Sequence, residues 1–183
     1  MSRVRFLTAN DLFETFPELL KTISVPPNDK PPLDFLKDLS IQGKLDDAVT
    51  FCAFLLPRRE AVWWACVGVR ALSGSALDKR SAGLLSAEAW VEQPENDRRL
   101  AALDVANAGD PNDPTTHLAF AAGRSGGLLF AHPEHPVAMP ANYTPQEARV
   151  AILLAAHYAD PAQKPALLQT CIEDGANLAI NGL

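Results

Sequence analysis

Apolar residues recur at three- and four-residue intervals over most of the chain, and proline or glycine falls between these runs rather than inside them. That spacing puts apolar side chains on one stripe of a helix, so the pattern predicts a helical array punctuated by proline. Thr8 suits the N-cap of a helix carrying Leu12, Phe13, Phe16, Leu19, Leu20 and Ile23, which Pro17 kinks or divides. Val25 to Pro32 holds four prolines and predicts an extended connector. A short helix with Leu33, Phe35, Leu36 and Leu39 follows and ends near Gly43. Leu45 to Leu56 predicts the next, with Leu45, Val49, Cys52, Ala53 and Leu56 on one stripe.

Pro57 suits the first turn of a helix running to about Leu72, which Ser73, Gly74 and Ser75 terminate. Further helices are expected over Ala82 to Val91, from Pro94 to a C′ residue at Gly109, and from the Asp113-Pro114 cap through Ala122. Between Gly123 and Asn142 the periodicity fails, which predicts an irregular surface loop about twenty residues long, a length that is uncommon and often functional. Thr144-Pro145-Gln146-Glu147 reads as N-cap, first-turn proline and capping-box glutamate for a helix to about Tyr158. A last helix follows Pro161, fading at Gly175 and resuming over Ala176 to Ile180. The fold class is all-α: an irregular multi-helix bundle or a short solenoid-like repeat array of about seven to nine helices. Residues 1–30 form an N-terminal helix and connector packed on a helical domain of residues 31–183, one compact unit overall.

Composition narrows the function classes. Charged residues make up 21% and the formal net charge is −6, which argues against nucleic acid or a membrane surface as partner, since both need a positive field. The three cysteines, Cys52, Cys66 and Cys171, sit in apolar helical runs without close pairing, so they read as reduced and buried. The first residues lack the apolar run of a signal peptide, and no stretch is long and apolar enough to span a membrane. A cytoplasmic protein is expected.

The most specific chemistry lies in Leu55 to Arg70. Arg58 and Arg59 fall in the first turn of their helix, the unfavourable end of the dipole for a cation, so acidic partners such as Asp46, Asp47, Glu60 or Glu88 are expected. Ala61, Ala65, Gly68 and Leu72 share a face that lets another helix approach closely, with Trp64 beside it; Trp63, Val67 and Arg70 share the adjacent face. One reading makes this the central core helix with the arginines in internal ion pairs. The other makes it an Arg/Trp binding surface, because those residue types dominate interface energetics.

Leu56-Pro57-Arg58-Arg59-Glu60-Ala61-Val62-Trp63-Trp64-Ala65-Cys66, followed by Ala87-Glu88-Ala89-Trp90-Val91 and Arg98-Arg99-Leu100-Ala101-Ala102, resembles a family of uncharacterised bacterial helical proteins, some of them encoded near type VI secretion genes. The resemblance covers roughly Phe35 to Ile180 and is specific at Pro57 to Cys66. It implies an accessory or adaptor role and brings no catalytic residues with it.

Other constellations carry less. His132-Pro133-Glu134-His135 would need His117 or His157 to complete a zinc site, and solvated loop histidines are the simpler reading. Cys66 in mid-helix is expected to be an inert, buried thiol. Gly123-Arg124-Ser125-Gly126-Gly127 lacks the lysine and preceding strand of a phosphate loop. The expectation is therefore a non-enzymatic interaction module without a cofactor. Its candidate binding residues are Arg58, Arg59, Trp63 and Glu88, together with Arg124, His132 and His135 from the loop. The rival is a small-anion or metabolite site, or an enzyme, with Arg58 and Arg59 clamping a carboxylate or phosphate in an interhelical pocket. A third reading is a homodimer built on the Ala/Gly face of the tryptophan helix.

Overall fold

The computed structural model describes residues 4–78, 80–131 and 133–183. Among these residues ten helices form: α1 (Ala9–Thr15), α2 (Leu19–Thr22), α3 (Pro32–Ile41), α4 (Leu45–Leu55), α5 (Arg58–Ser73), α6 (Ala82–Glu92), α7 (Asn96–Ala108), α8 (Pro114–Gly123), α9 (Tyr143–Ala155) and α10 (Lys164–Asn181). Between α8 and α9 lies an antiparallel hairpin, β1 (Leu128–Phe130) and β2 (Val137–Ala138), pairing Leu128 with Ala138 and Phe130 with Val137. The protein is an all-α multi-helix bundle.

Local chemistry sets the helix ends. The Thr8 hydroxyl accepts from the Asp11 N–H at 3.2 Å while the Asp11 carboxylate accepts from the Thr8 N–H at 2.8 Å, a reciprocal cap for α1. Pro17 lies between α1 and α2 and divides them, since a proline cannot donate to the preceding turn. At the end of α3, Gly43 takes a φ of 70°; its N–H donates to the Ser40 carbonyl and that of Lys44 to the Leu39 carbonyl. This double bond pattern closes the helix and turns the chain into α4. Asp113 caps α8 by accepting from the Thr115 N–H at 2.8 Å.

Three local expectations change. Thr144 does not cap α9: that helix begins at Tyr143, and the Thr144 hydroxyl is buried and donates to the Ala121 carbonyl at 3.1 Å. Glu147 is consequently released from capping and turns toward α8. The stretch from Gly123 to Asn142 is not wholly irregular, because the hairpin closes over its middle; Gly127, at a φ of 81°, supplies the carbonyl that accepts from the Met139 N–H. Finally, α10 runs without interruption through Gly175.

That last difference has a packing cause. α5 is the central helix, in contact with α6, α8, α9 and α10, and a helix with neighbours on so many sides makes a bundle rather than a stack of repeats. Where α5 crosses α10, the Trp64 Nε1 donates to the Cys171 carbonyl at 2.7 Å, with the indole 2% exposed. A Cβ on Gly175 would collide with Cys52 Sγ and stand 2.8 Å from Trp64 Nε1. On the facing helix a Cβ on Gly68 would lie 2.8 Å from Cys171 Sγ. Both glycines are there for close approach, and the apparent helix stop at Gly175 is a notch for the indole. At the other end of the core, Phe13, Phe35 and Phe51 cluster with ring centroids 4.9–6.2 Å apart, and Phe16 meets Phe54 edge-on at 5.1 Å. These rings tie α1 and its C-cap residue to α3 and α4.

Helix propensity favours alanine over glycine by about 1 kcal/mol, so a loosely packed Gly175→Ala would be stabilised. Close packing predicts the opposite: a net loss of about 2 kcal/mol from overpacking and a displaced indole, read as a lower urea midpoint. Removing the colliding sulfur in Cys52→Ala/Gly175→Ala should recover part of that loss. A Gly175→Ala protein more stable than the wild type would show that the crossing is loose.

Candidate functional site

Neighbouring residues on a helix point about 100° apart, and α5 uses this to send its two adjacent tryptophans to different places. Trp64 goes into the core, whereas Trp63 keeps 37% of its surface exposed on the face toward α6. There a groove of about 550 Å³ is lined by Arg59, Trp63, Leu85, Glu88, Val91 and Leu183, among others. Leu85 and Leu183 are each 49% exposed, so the groove carries apolar surface beside its charged groups. One turn of α6 places Leu85 and Glu88 on the same side.

The charges around this groove are fixed by geometry. Arg70 holds Glu88 with two parallel bonds, Nε to Oε1 at 2.9 Å and Nη2 to Oε2 at 2.8 Å. This bidentate pair orients the carboxylate and ties α5 to α6. Arg59 donates from Nε to the Val91 carbonyl at 2.7 Å, and Arg58 donates from Nη1 to the Ser125 carbonyl at 2.8 Å. The carboxylate partners anticipated for these two arginines are thus replaced by carbonyls: Glu88 is held by Arg70, and Asp47 accepts from the Ser24 N–H and hydroxyl. The physical reason is that Val91 lies in the last turn of α6 and Ser125 just beyond α8, where helix carbonyls lack intrahelical donors and the dipole is negative. An unfavourable position at one helix N-terminus becomes a favourable one at two C-termini.

Arg58 and Arg59 both remain exposed but line different cavities, so they do not form a joint clamp. The loop residues also separate from the Trp63 groove. Arg124 pairs with Glu147 and stacks 4.1 Å over the Phe120 ring, with Tyr143 at 5.4 Å. His135 sits exposed between the hairpin strands, and His132 lies outside the described residues. His157 is turned back on its own helix end, with Nδ1 2.9 Å from the Leu153 carbonyl. Among the described residues, no three His, Cys, Asp or Glu side chains gather in a way that could hold a metal ion.

All three cysteines are free and buried. Burial pushes the Cys171 thiol up to about 12, with Asp174 adding to the effect, and drives Cys52 and Cys66 upward as well. Cys52 meets Cys171 and Gly175 across the α4–α10 contact rather than Cys66. Their low thiolate population suits packing and not nucleophilic attack.

Sequence reasoning missed a polar cluster. The His117 Nδ1 lies 2.7 Å from Glu147 Oε2, and its Nε2 lies 2.9 Å from the Pro111 carbonyl. Since both ring nitrogens face acceptors, the imidazolium is the form that satisfies both. Glu147 therefore joins His117 and Arg124 of the α8 region to α9. Only the unused Glu of the supposed capping box pointed that way.

The architecture is that of a helical bundle centred on one small-residue helix, with an apolar, charge-framed groove at that helix's outer face. The chain belongs to the DUF6931 family, a family of unknown function, whose model matches residues 35–179. No curated protein and no solved structure matches the chain.

The hydrogen bond from His117 to Glu147 raises the imidazole pKa above its ordinary 6.5; burial opposes this, the Pro111 carbonyl and the Glu147 charge add to it, and Arg124 subtracts. A pKa raised in the folded state stabilises the fold fully below 6.5, and the contribution is lost as pH rises through the folded value. Urea unfolding at about pH 5.5 and 8.5 should therefore show His117→Gln losing on the order of 1–2 kcal/mol at the acidic pH and less at the alkaline one. An equal deficit at both would mean that the imidazolium is not what Glu147 holds.

Proposed function

We propose that this protein is a non-enzymatic protein-interaction module, an accessory or adaptor whose partner seats an apolar side chain against Trp63. One observation carries the reading: a tryptophan more than a third exposed, beside the exposed Leu85, in a groove whose Arg59 and Glu88 are already anchored. A half-open indole between anchored charges is the arrangement expected of an interface hot spot. Arg59 and Glu88 enter it already oriented by Val91 and Arg70, so a partner would lose little rotamer entropy in meeting them. The buried, unreactive cysteines agree with a role that does not involve covalent catalysis. Of the loop residues, Arg124 and His135 stand apart from this surface, and the proposal rests on Arg59, Trp63 and Glu88. A cytoplasmic setting, supported by the free and buried cysteines, and a link to type VI secretion, supported by the resemblance of the Pro57–Cys66 segment, are part of the proposal.

The test compares capture from the native host by wild type, Trp63→Ala and Ile41→Ala, the last altering an exposed apolar residue away from the groove. A specific partner should be retained by Ile41→Ala and weakened at least about tenfold by Trp63→Ala. Trp63→Ala should cost less stability than Trp64→Ala, whose buried indole is worth about 3 kcal/mol or more, and a thermal melt of each variant separates loss of capture from unfolding. Equal capture by Trp63→Ala would remove the groove from the interface. Secretion-apparatus components among the captured proteins would support the secretion link, and their absence would remove it.

A further inference from the structure

Arg58, parted from Arg59 by the helix geometry, has another cationic neighbour. A cavity of about 330 Å³ is lined by Arg5, Arg58, Phe16, Phe54, Leu56 and Pro145, among others. Phe16 and Phe54 are almost wholly buried and meet edge-on at 5.1 Å, giving the cavity an aromatic floor. Arg5 is held in place by the Leu56 carbonyl, 3.1 Å from Nη2, and by the Phe6 ring, 5.3 Å from its guanidinium carbon. Arg58 is held by the Ser125 carbonyl.

Both anchors are neutral acceptors. A guanidinium has five N–H donors, and each of these bonds uses one, so the positive charge and most donors of both arginines remain unspent. Among the described residues the ion pairs are Lys30–Asp38, Arg70–Glu88, His117–Glu147 and Arg124–Glu147, and neither Arg5 nor Arg58 is in them. Glu60 is the acid that acts on Arg5, opposing the effect of burial, while the Arg58 charge repels it. The local balance is two cations against one carboxylate. Pro57 and Pro145 bring the first turns of α5 and α9 to the cavity walls, which adds to the positive field that the arginines create.

We propose that this cavity binds a small organic carboxylate with a flat apolar body, the carboxylate bridging Arg5 and Arg58 and the body lying on Phe16 and Phe54. Planar guanidinium groups pair with carboxylates through parallel N–H bonds. The volume sits at the lower end of that of small-ligand sites, which fits a single ring and not a nucleotide. The site lies apart from the Trp63 groove and stands or falls independently of it.

Isothermal titration of the full chain with benzoate tests this, with benzyl alcohol and inorganic phosphate as comparators and Arg5→Gln, Arg58→Gln and Phe54→Leu as variants. Benzoate should bind with one-to-one saturation, each Arg→Gln variant should lose at least about tenfold in affinity, and added salt should weaken binding. Thermal melts identify any variant that has lost its fold; benzoate-induced chemical shifts confined to residues of the cavity in wild type then carry the decision. Equal binding of benzyl alcohol would overturn the role of the arginines, and preferred binding of phosphate would overturn the flat apolar body. Absence of saturable benzoate binding, or binding indifferent to both arginine variants, would overturn the proposal.

Discussion

The bond from the Trp64 indole to the Cys171 carbonyl is the constraint on which the arrangement of the bundle depends. A mid-helix carbonyl already accepts from its own helix, and a bulky indole from a neighbouring helix reaches it where the flanking side chain is missing. Gly175, one turn further along α10, provides that gap, and Gly68 provides the reciprocal gap on α5. The two helices therefore approach at a fixed point and in a fixed rotation. An indole N–H buried without a partner would cost about 1–3 kcal/mol, so rotations of α5 that lose the bond are disfavoured by more than packing alone. Fixing that rotation fixes everything else on α5: Trp63 must face α6, and the first-turn arginines must diverge to either side of it.

Those arginines belong to a wider pattern. Arg5 donates to Leu56 just past α4, Arg59 to Val91 in the last turn of α6, Arg58 to Ser125 beyond α8, and Arg99 to Gly123 at the end of α8 itself. Val91 and Gly123 offer carbonyls that their helices leave without a donor, and Leu56 and Ser125 lie just past helix C-termini, so all four sit at or near the negative end of a dipole. Such bonds join helices without neutralising the cation. The bundle consequently keeps a positive potential at selected points of a chain whose net charge is −6. Carboxylate partners would have given similar cohesion and removed that potential.

Much of this was legible in the sequence, and the failures have specific causes. The helices, the Thr8 cap, the Asp113 cap and the buried state of one tryptophan follow from local rules, since periodicity and capping act over a few residues. Gly175 reads locally as a point where the last helix fades before resuming, whereas its role is to accommodate Trp64, more than a hundred residues away in the chain. Thr144 met every local criterion for an N-cap, yet its hydroxyl found the Ala121 carbonyl instead, and Glu147 was drawn to His117 and Arg124. The hairpin was missed because its strands are only three and two residues long and carry no alternating pattern. At Gly175, Thr144 and Glu147 a contact distant in sequence overrode a local preference.

The same logic explains why the Arg-Arg doublet misleads. Adjacent side chains leave a helix about 100° apart, and here Arg58 and Arg59 are drawn to different carbonyls, Ser125 and Val91. The arginine that shares a cavity with Arg58 comes instead from another element: Arg5, beside the packing of Phe16 on Phe54. Arg58, Arg59, Trp63 and Glu88 all lie within residues 35–179, the span matched by the family model, whereas Arg5 and Phe16 lie outside it. The Trp63 groove is thus framed largely by the matched bundle itself. The cationic cavity needs the N-terminal segment to complete it, so the two surfaces on either side of one helix turn draw on different parts of the chain.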